Sequence, residues 1–353
     1  MAPSNLIPGP DGLQVGWGWF QILLTLTWVI HILFMNALFG GAFVSLLGGR
    51  RGSGPAQAAA SDAAHKVPTL IALTVNLGVA PLLFMQVLFG HFFYSSSIVM
   101  ANWWFSVFLV LILGYYAAYG VAMNYESRAR RFLSASVVVV LLYVSFMFVS
   151  NSLMALTPAS WTAYFDHPNG SVLNMGNPTL WPRWLHMVTS AIAVGGLFVA
   201  LIQDMKARKG DEAAEGARDW ALHFFTYGTL LTSVIGIWWL LALPDPLMKR
   251  FMGGDMLSTL WLALGTVTGI LALVMGFRKK VVPATYLVVL TVTLMALVRE
   301  SLRIGYLDGV FHPSQLLVTP QISPMIMFLG VFVVGIVCVV YMLKLAARAG
   351  KEA

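Results

Sequence analysis

Four ionisable side chains lie inside apolar runs of this sequence: His31 in TLTWVIHILFMNALFGG, His91 in VLFGHFFYSSS, His186 in WLHMVTSAIAVGG and Glu300 in LVRESLR. An imidazole or carboxylate within a lipid-spanning segment is costly, and by default it marks a functional role with a nearby partner. Three kinds of chemistry are open to these residues. Ring nitrogens and a carboxylate can ligate a metal, they can relay protons, or they can satisfy local hydrogen bonds and charges. For Glu300 the third reading is a rim salt bridge with Arg299 and Arg303, whose stems can snorkel. His91, near the end of its apolar run, is as well suited to an interfacial hydrogen bond as to ligation. His65 and His223 fall at polar helix ends and His167 and His312 in loops, where histidine is an ordinary surface residue.

Clusters of cations serve as rulers. His31 precedes Arg50 by 19 residues and His186 precedes Lys206 by 20. Glu300 follows Lys280 by 20 residues and His91 follows Lys66 by 25. One bilayer crossing takes about 20 residues, so all four groups are expected in or just beyond the leaflet opposite those cations.

The elements that must position them follow from composition. The 353 residues are 59% hydrophobic and 10% charged, too apolar for a chain whose main solvent is water. The fold class expected is an all-α integral membrane protein, one polytopic domain over 1–353. Nine runs are long enough to span, near 15–48, 67–97, 102–124, 132–156, 182–204, 221–243, 257–277, 281–303 and 323–346. Backbone polar groups in lipid need partners within the segment, so these runs are expected as helices. Polar punctuation such as GGRRGSGP, NYESRARR and MKARKGDEAAEGARD separates them, and no clear internal repeat is expected. With the N-terminus outside, 16 of the 21 basic residues face the cytoplasm. They are Arg50, Arg51, Lys66, Arg128, Arg130, Arg131, Lys206, Arg208, Lys209, Arg218, Arg278, Lys279, Lys280, Lys344, Arg348 and Lys351. The positive-inside rule then gives an N-out, C-in topology in a bacterial or archaeal cytoplasmic (inner) membrane. The net charge of +7 is thereby explained by position, with no nucleic-acid partner required. The N-terminal MAPSNLIPGPDGLQ lacks the basic start of a signal peptide, so the first span is expected to stay in the mature protein. The single cysteine, Cys338, rules out an internal disulfide, and without C-x-x-C-H covalent haem attachment is excluded.

Zinc would need several donors within one small tetrahedron. Donors from four spans at one depth suit a large planar cofactor better, because haem iron takes only one or two axial ligands. Arg183, Arg299 and Arg303 at the same rim could pair with haem propionates. Gly40–Gly41 and Gly195–Gly196 would let a macrocycle or a neighbouring helix approach closely.

In this order the residues resemble subunit I of the cytochrome bd-type oxidase superfamily, over nearly the whole chain. FQILLTLTWVIHILFMNALFGGAF is similar to that family's first helix, with Thr27 four residues before a haem-ligating His31. NLGVAPLLFMQVLFG matches the second helix at Asn76, Gln86 and Gly90, and NSLM (Asn151 to Met154) resembles the family's N-G-W-M. WLHMVTSAIAVGGLFV resembles the helix of the low-spin haem b histidine, here His186. ESLR matches E-x-G-R, so the resemblance makes Glu300 a haem ligand and Arg303 its arginine. The chain departs from the family in four places. The connection PDPLMKRFMGGD between the sixth and seventh spans is too short for the quinol-oxidation loop. The third span lacks the family's acidic residues, and Met85 lies where the second span would carry a glutamate. The seventh, LSTLWLALGTVTG, has no ligand methionine, so bis-axial ligation at His186 requires His91 or a nearby methionine.

The resemblance therefore implies a shortened haem-b subunit of a membrane respiratory complex, moving electrons near the outer face. Two or more haems b are expected, and haem d is not. His31, His186 and Glu300 would be axial ligands, His91 a further candidate, Arg183, Arg299 and Arg303 propionate partners, and Asn151 and Met154 part of the surroundings. The donor or acceptor would be a c-type cytochrome or partner subunit docking on the outer face. Two alternatives stand beside this: a quinol-oxidising, oxygen-reducing subunit with a rebuilt quinol site, and a haem-free scaffold or transporter.

Overall fold

In the computed structural model, which describes residues 3–48 and 54–352, nine helices are long and apolar enough to cross a membrane. Arg50 and Arg51 lie outside the described residues, as does the side chain of Lys351. No strand is present among the described residues; the one bridge joins Leu13 to Val318. The chain is a helical membrane protein. Its helices are α1 (Trp17–Leu47), α2 (Pro55–Val99), α3 (Ala101–Met123), α4 (Arg130–Leu156), α5 (Leu180–Ala207), α6 (Glu212–Ala242), the short α7 (Asp245–Lys249), α8 (Met256–Phe277), α9 (Val281–Tyr306) and α10 (Ile322–Glu352).

Two helices run well beyond the apolar stretches that announce them. α2 begins at Pro55 and α6 at Glu212, because PAQAAASDAAHK and EAAEGARDW are built from strong helix formers. Pro55 occupies the first helical turn of α2, and the Asp211 carboxylate accepts from the Ala213 N–H to cap α6. These extensions meet at the cation-rich end. There Lys206 pairs with Asp62 at 2.5 Å, Arg218 with Asp204 and Asp219, and Lys279 with Asp219 at 2.6 Å.

Contrary to the expectation from sequence, the packing contains an internal repeat. His31, Gly40, Gly41, Phe43, Val44 and Leu46 of α1 recur in α5 as His186, Gly195, Gly196, Phe198, Val199 and Leu201, each 155 residues later. Thr74 and Gly78 of α2 recur as Thr232 and Gly236 of α6, and NSLM in α4 recurs as ESLR in α9. Contacts follow the same scheme: α1 packs on α2 and α3 on α4, as α5 packs on α6 and α8 on α9. Reciprocal contacts join the halves, α1 to α9 and α4 to α5, around a central α1–α5 crossing.

The crossing depends on two glycines. A Cβ on Gly40 would stand 2.5 Å from Gly195 Cα, and one on Gly195 would press still closer on Gly40 Cα. Backbone cannot yield as a side-chain tip can, so both positions exclude a side chain. Gly196 is likewise pressed on Ala221, Phe224 and Phe225 of α6. Gly40, Gly195 and Gly196 thus serve close helix packing, whereas a Cβ on Gly41 would meet only Leu70 at 4.0 Å. α10 stands apart from this eight-helix body, with none of its described residues buried.

Candidate cofactor-binding site

His31 and His186 occupy equivalent positions in the two halves and are held alike. The His31 ring donates from Nδ1 to the Thr74 carbonyl at 3.1 Å, and His186 Nδ1 to the Thr232 carbonyl at 3.2 Å. A carbonyl only accepts, so in the neutral ring Nδ1 carries the proton and Nε2 keeps its lone pair. Among the described residues neither Nε2 has a hydrogen-bond partner. A histidine tied at Nδ1 to a backbone carbonyl, with Nε2 open, is in the state required of a metal ligand.

Each ring lies against a glycine one turn beyond the accepting carbonyl. A Cβ on Gly78 would come within 2.8 Å of His31 Cε1, and one on Gly236 within 3.1 Å of His186 Cε1. The two threonines that offer their carbonyls also share a defect: Thr74 Oγ1 and Thr232 Oγ1 are buried without a partner. Unsatisfied buried polar atoms are rare, and here the same one recurs at equivalent positions beside two open imidazoles.

Toward the end of the bundle opposite the cations, two arginines hold one carboxylate and a third, Arg183, belongs to the same layer. Glu300 Oε1 accepts from Arg299 at 2.8 Å, while Oε2 accepts from Arg303 at 2.6 Å and from Gln21 at 3.0 Å. The rim salt bridge is therefore formed, and ligation by Glu300 would have to displace one of these donors. Arg183 has no carboxylate partner among the described residues; its Nη2 reaches Ser152 Oγ at 3.4 Å and it lies close to Arg299 and Arg303. Three guanidinium groups against one carboxylate leave the layer with an excess of two positive charges, a costly state inside a bundle unless an anion shares it. His186 and Arg299 lie deep in the molecule yet stay only partly covered, Arg299 keeping 22% of its side-chain surface.

The other residues singled out from the sequence lie elsewhere. α2 departs from helical geometry at Phe89, and His91 beyond it enters an aromatic box, 4.3 Å from the Phe92 ring and 4.5 Å from Phe311. Phe89 lies under Arg303 at 4.7 Å, so this box adjoins the arginine layer. Asn151 donates to Ser97 Oγ at 3.3 Å. Met154 is fully buried and its sulfur accepts from Ser160 Oγ at 3.1 Å, so it packs in the core beneath Trp161. The donors therefore occupy separate places, and among the described residues no three His, Cys, Asp or Glu side chains come together. That arrangement does not suit a multidentate ion such as zinc.

Trp28, Trp239, Gln21, Thr74, Thr232, Gly78 and Gly236 complete these surroundings, and none stands out in the sequence by type. The spacing shared between the halves is the signal that finds the threonines and glycines. No known protein family, no curated protein and no solved structure matches this chain.

Proposed function

We propose that this protein is a haem-b-binding electron-transfer subunit of a membrane respiratory complex, in which His31 and His186 would each hold one of two separate haems. One observation carries the reading: two histidines at repeat-equivalent positions, each tied through Nδ1 to a backbone carbonyl and each with Nε2 open. The excess of two positive charges beside them supports it, because each haem brings two propionates and guanidinium pairs well with carboxylate. The resemblance to subunit I of cytochrome bd-type oxidases agrees in the order of its motifs.

Bound haem supplies one-electron transfer at its iron. The chain's own groups do the rest. Thr74 and Thr232 fix tautomer and ring orientation through their carbonyls, and Gly78 and Gly236 leave room for the rings. Arg183, Arg299 and Arg303 neutralise carboxylates, with Glu300 as their internal counter-ion and His91 a further candidate ligand at the edge of the layer. In the proposed N-out, C-in topology of a bacterial or archaeal cytoplasmic membrane, the arginine layer lies near the outer face. A c-type cytochrome or partner subunit docking there would exchange the electrons. A reduced-minus-oxidised spectrum of the purified protein tests this. Haem b Soret and α bands are the expected result, and a protein that carries no tetrapyrrole when expressed in haem-replete cells contradicts the reading.

A further inference from the structure

Each histidine is accompanied, one turn toward the arginine layer, by an indole and a guanidinium in contact. Trp28 precedes His31 by one turn of α1, and the Arg299 guanidinium lies over its ring at 4.7 Å. Trp239 follows Gly236 by one turn of α6. Its ring lies 5.5 Å from His186, with the Arg183 guanidinium 5.6 Å away. The repeat does not explain this likeness: Arg183 occupies the position equivalent to Trp28, and Trp239 that equivalent to Pro81. The same pair of groups has been assembled twice from different helices.

The indole of Trp239 holds the more telling detail. Its Nε1–H is buried without an acceptor, although tryptophan N–H groups normally find one when covered. Arg183, in contact with the ring, is a donor too; it reaches Ser152 Oγ at 3.4 Å and has no carboxylate partner among the described residues. An indole N–H without an acceptor, beside a guanidinium whose one acceptor is the Ser152 hydroxyl, suits an anionic oxygen. Planar carboxylate is the anion that a guanidinium fork and an adjacent N–H hold together.

Resting on the haem reading above, we infer that the structure contains two carboxylate clamps, one per histidine: Trp28 with Arg299 for the group at His31, and Trp239 with Arg183 for the group at His186. One propionate in each clamp balances the two excess positive charges of the layer. Arg303, which shares Glu300 with Arg299 and contacts neither indole, is left as a positioning residue shared by both sites.

The test is a redox titration of the purified full-length holoprotein, with the two haems assigned by their loss in His31→Ala and His186→Ala. Arg183→Gln and Trp239→Phe should lower the midpoint potential or occupancy of the His186 haem alone, and Arg299→Gln that of the His31 haem alone. Arg183→Lys should hold the potential nearer wild type, because it keeps the charge. Arg183→Gln acting equally on both haems, acting on the His31 haem, or acting on neither would overturn the assignment while leaving the haem reading intact. Trp239→Phe keeps the packing volume, so it decides the case if Arg183→Gln fails to fold. Protein with no haem at all would remove both.

Discussion

Gly78 is the most sensitive probe of how His31 is held. Alanine there places a Cβ 2.8 Å from Cε1 and 3.0 Å from Nδ1, so the ring must retreat by about 0.6 Å to reach ordinary contact at 3.4 Å. The Nδ1–carbonyl distance is already 3.1 Å, and a retreat of that size breaks the bond to Thr74. The cost combines a lost hydrogen bond of roughly 1 kcal/mol with loss of the group that orients a ligand, which typically lowers metal-site affinity by about 10–100-fold. Gly236→Ala places its Cβ 3.1 Å from His186, needing only about half that movement. Gly41 is the control, because a methyl added there would have its nearest neighbour 4.0 Å away. Haem titration of each apo-protein, with pyridine haemochrome analysis of bound haem, should rank the loss Gly78→Ala, then Gly236→Ala, then Gly41→Ala at wild-type affinity. A larger loss for Gly236→Ala, or equal affinities for all three, would refute the reasoning from ring contact.

Other perturbations address other levels of the account. Gly195→Ala sets a Cβ against Gly40 backbone that cannot move aside, and should lower the melting temperature in detergent far more than Gly41→Ala. Arg183→Gln has a calculable electrostatic effect: ring distances of 5.5 and 5.6 Å place the guanidinium no more than about 11 Å from the His186 ring. With an effective dielectric of about 20 that charge contributes roughly 1.5 kcal/mol, so its removal should lower the haem potential by about 60 mV in a potentiometric titration. Asp255 caps α8 by accepting from the Ser258 N–H at 2.7 Å; Asp255→Ala should cost about 1 kcal/mol in thermal unfolding and Asp255→Asn much less. Hydrogen bonds from Ser258, with Arg250 nearby, hold the Asp255 carboxyl below the usual aspartate range. Its contribution is therefore complete above the ordinary value near 3.8 and is lost as pH falls through the lower folded value, so the Asp255→Ala deficit should shrink in acid.

Spans were legible in the sequence wherever apolar length alone decides. Runs expected at 132–156 and 281–303 fold as Arg130–Leu156 and Val281–Tyr306. The starts of α2 and α6 were not legible, because PAQAAASDAAHK and EAAEGARDW look like polar connections while alanine and glutamate favour helix. His31 and His186 were visible as costly groups in lipid, and the arginine layer as a cluster at one depth. Their surroundings were hidden: Gly78 and Gly236 matter through what they leave out, and a backbone carbonyl carries no mark of residue type. The repeat is faint in sequence because its halves share spaced positions, with only GG and FV adjacent in α1 and α5, and the residues between them differ. That Glu300 is fully engaged by Arg299, Arg303 and Gln21 depended on Gln21, which is 279 residues away in the chain.

Haem stoichiometry in wild type and the two histidine variants bears most directly on the central claim. Pyridine haemochrome per mole of purified protein should give two haems b for wild type and one each for His31→Ala and His186→Ala, with different absorption bands missing in the two. Wild type without haem, or variants that keep the full complement, would contradict it.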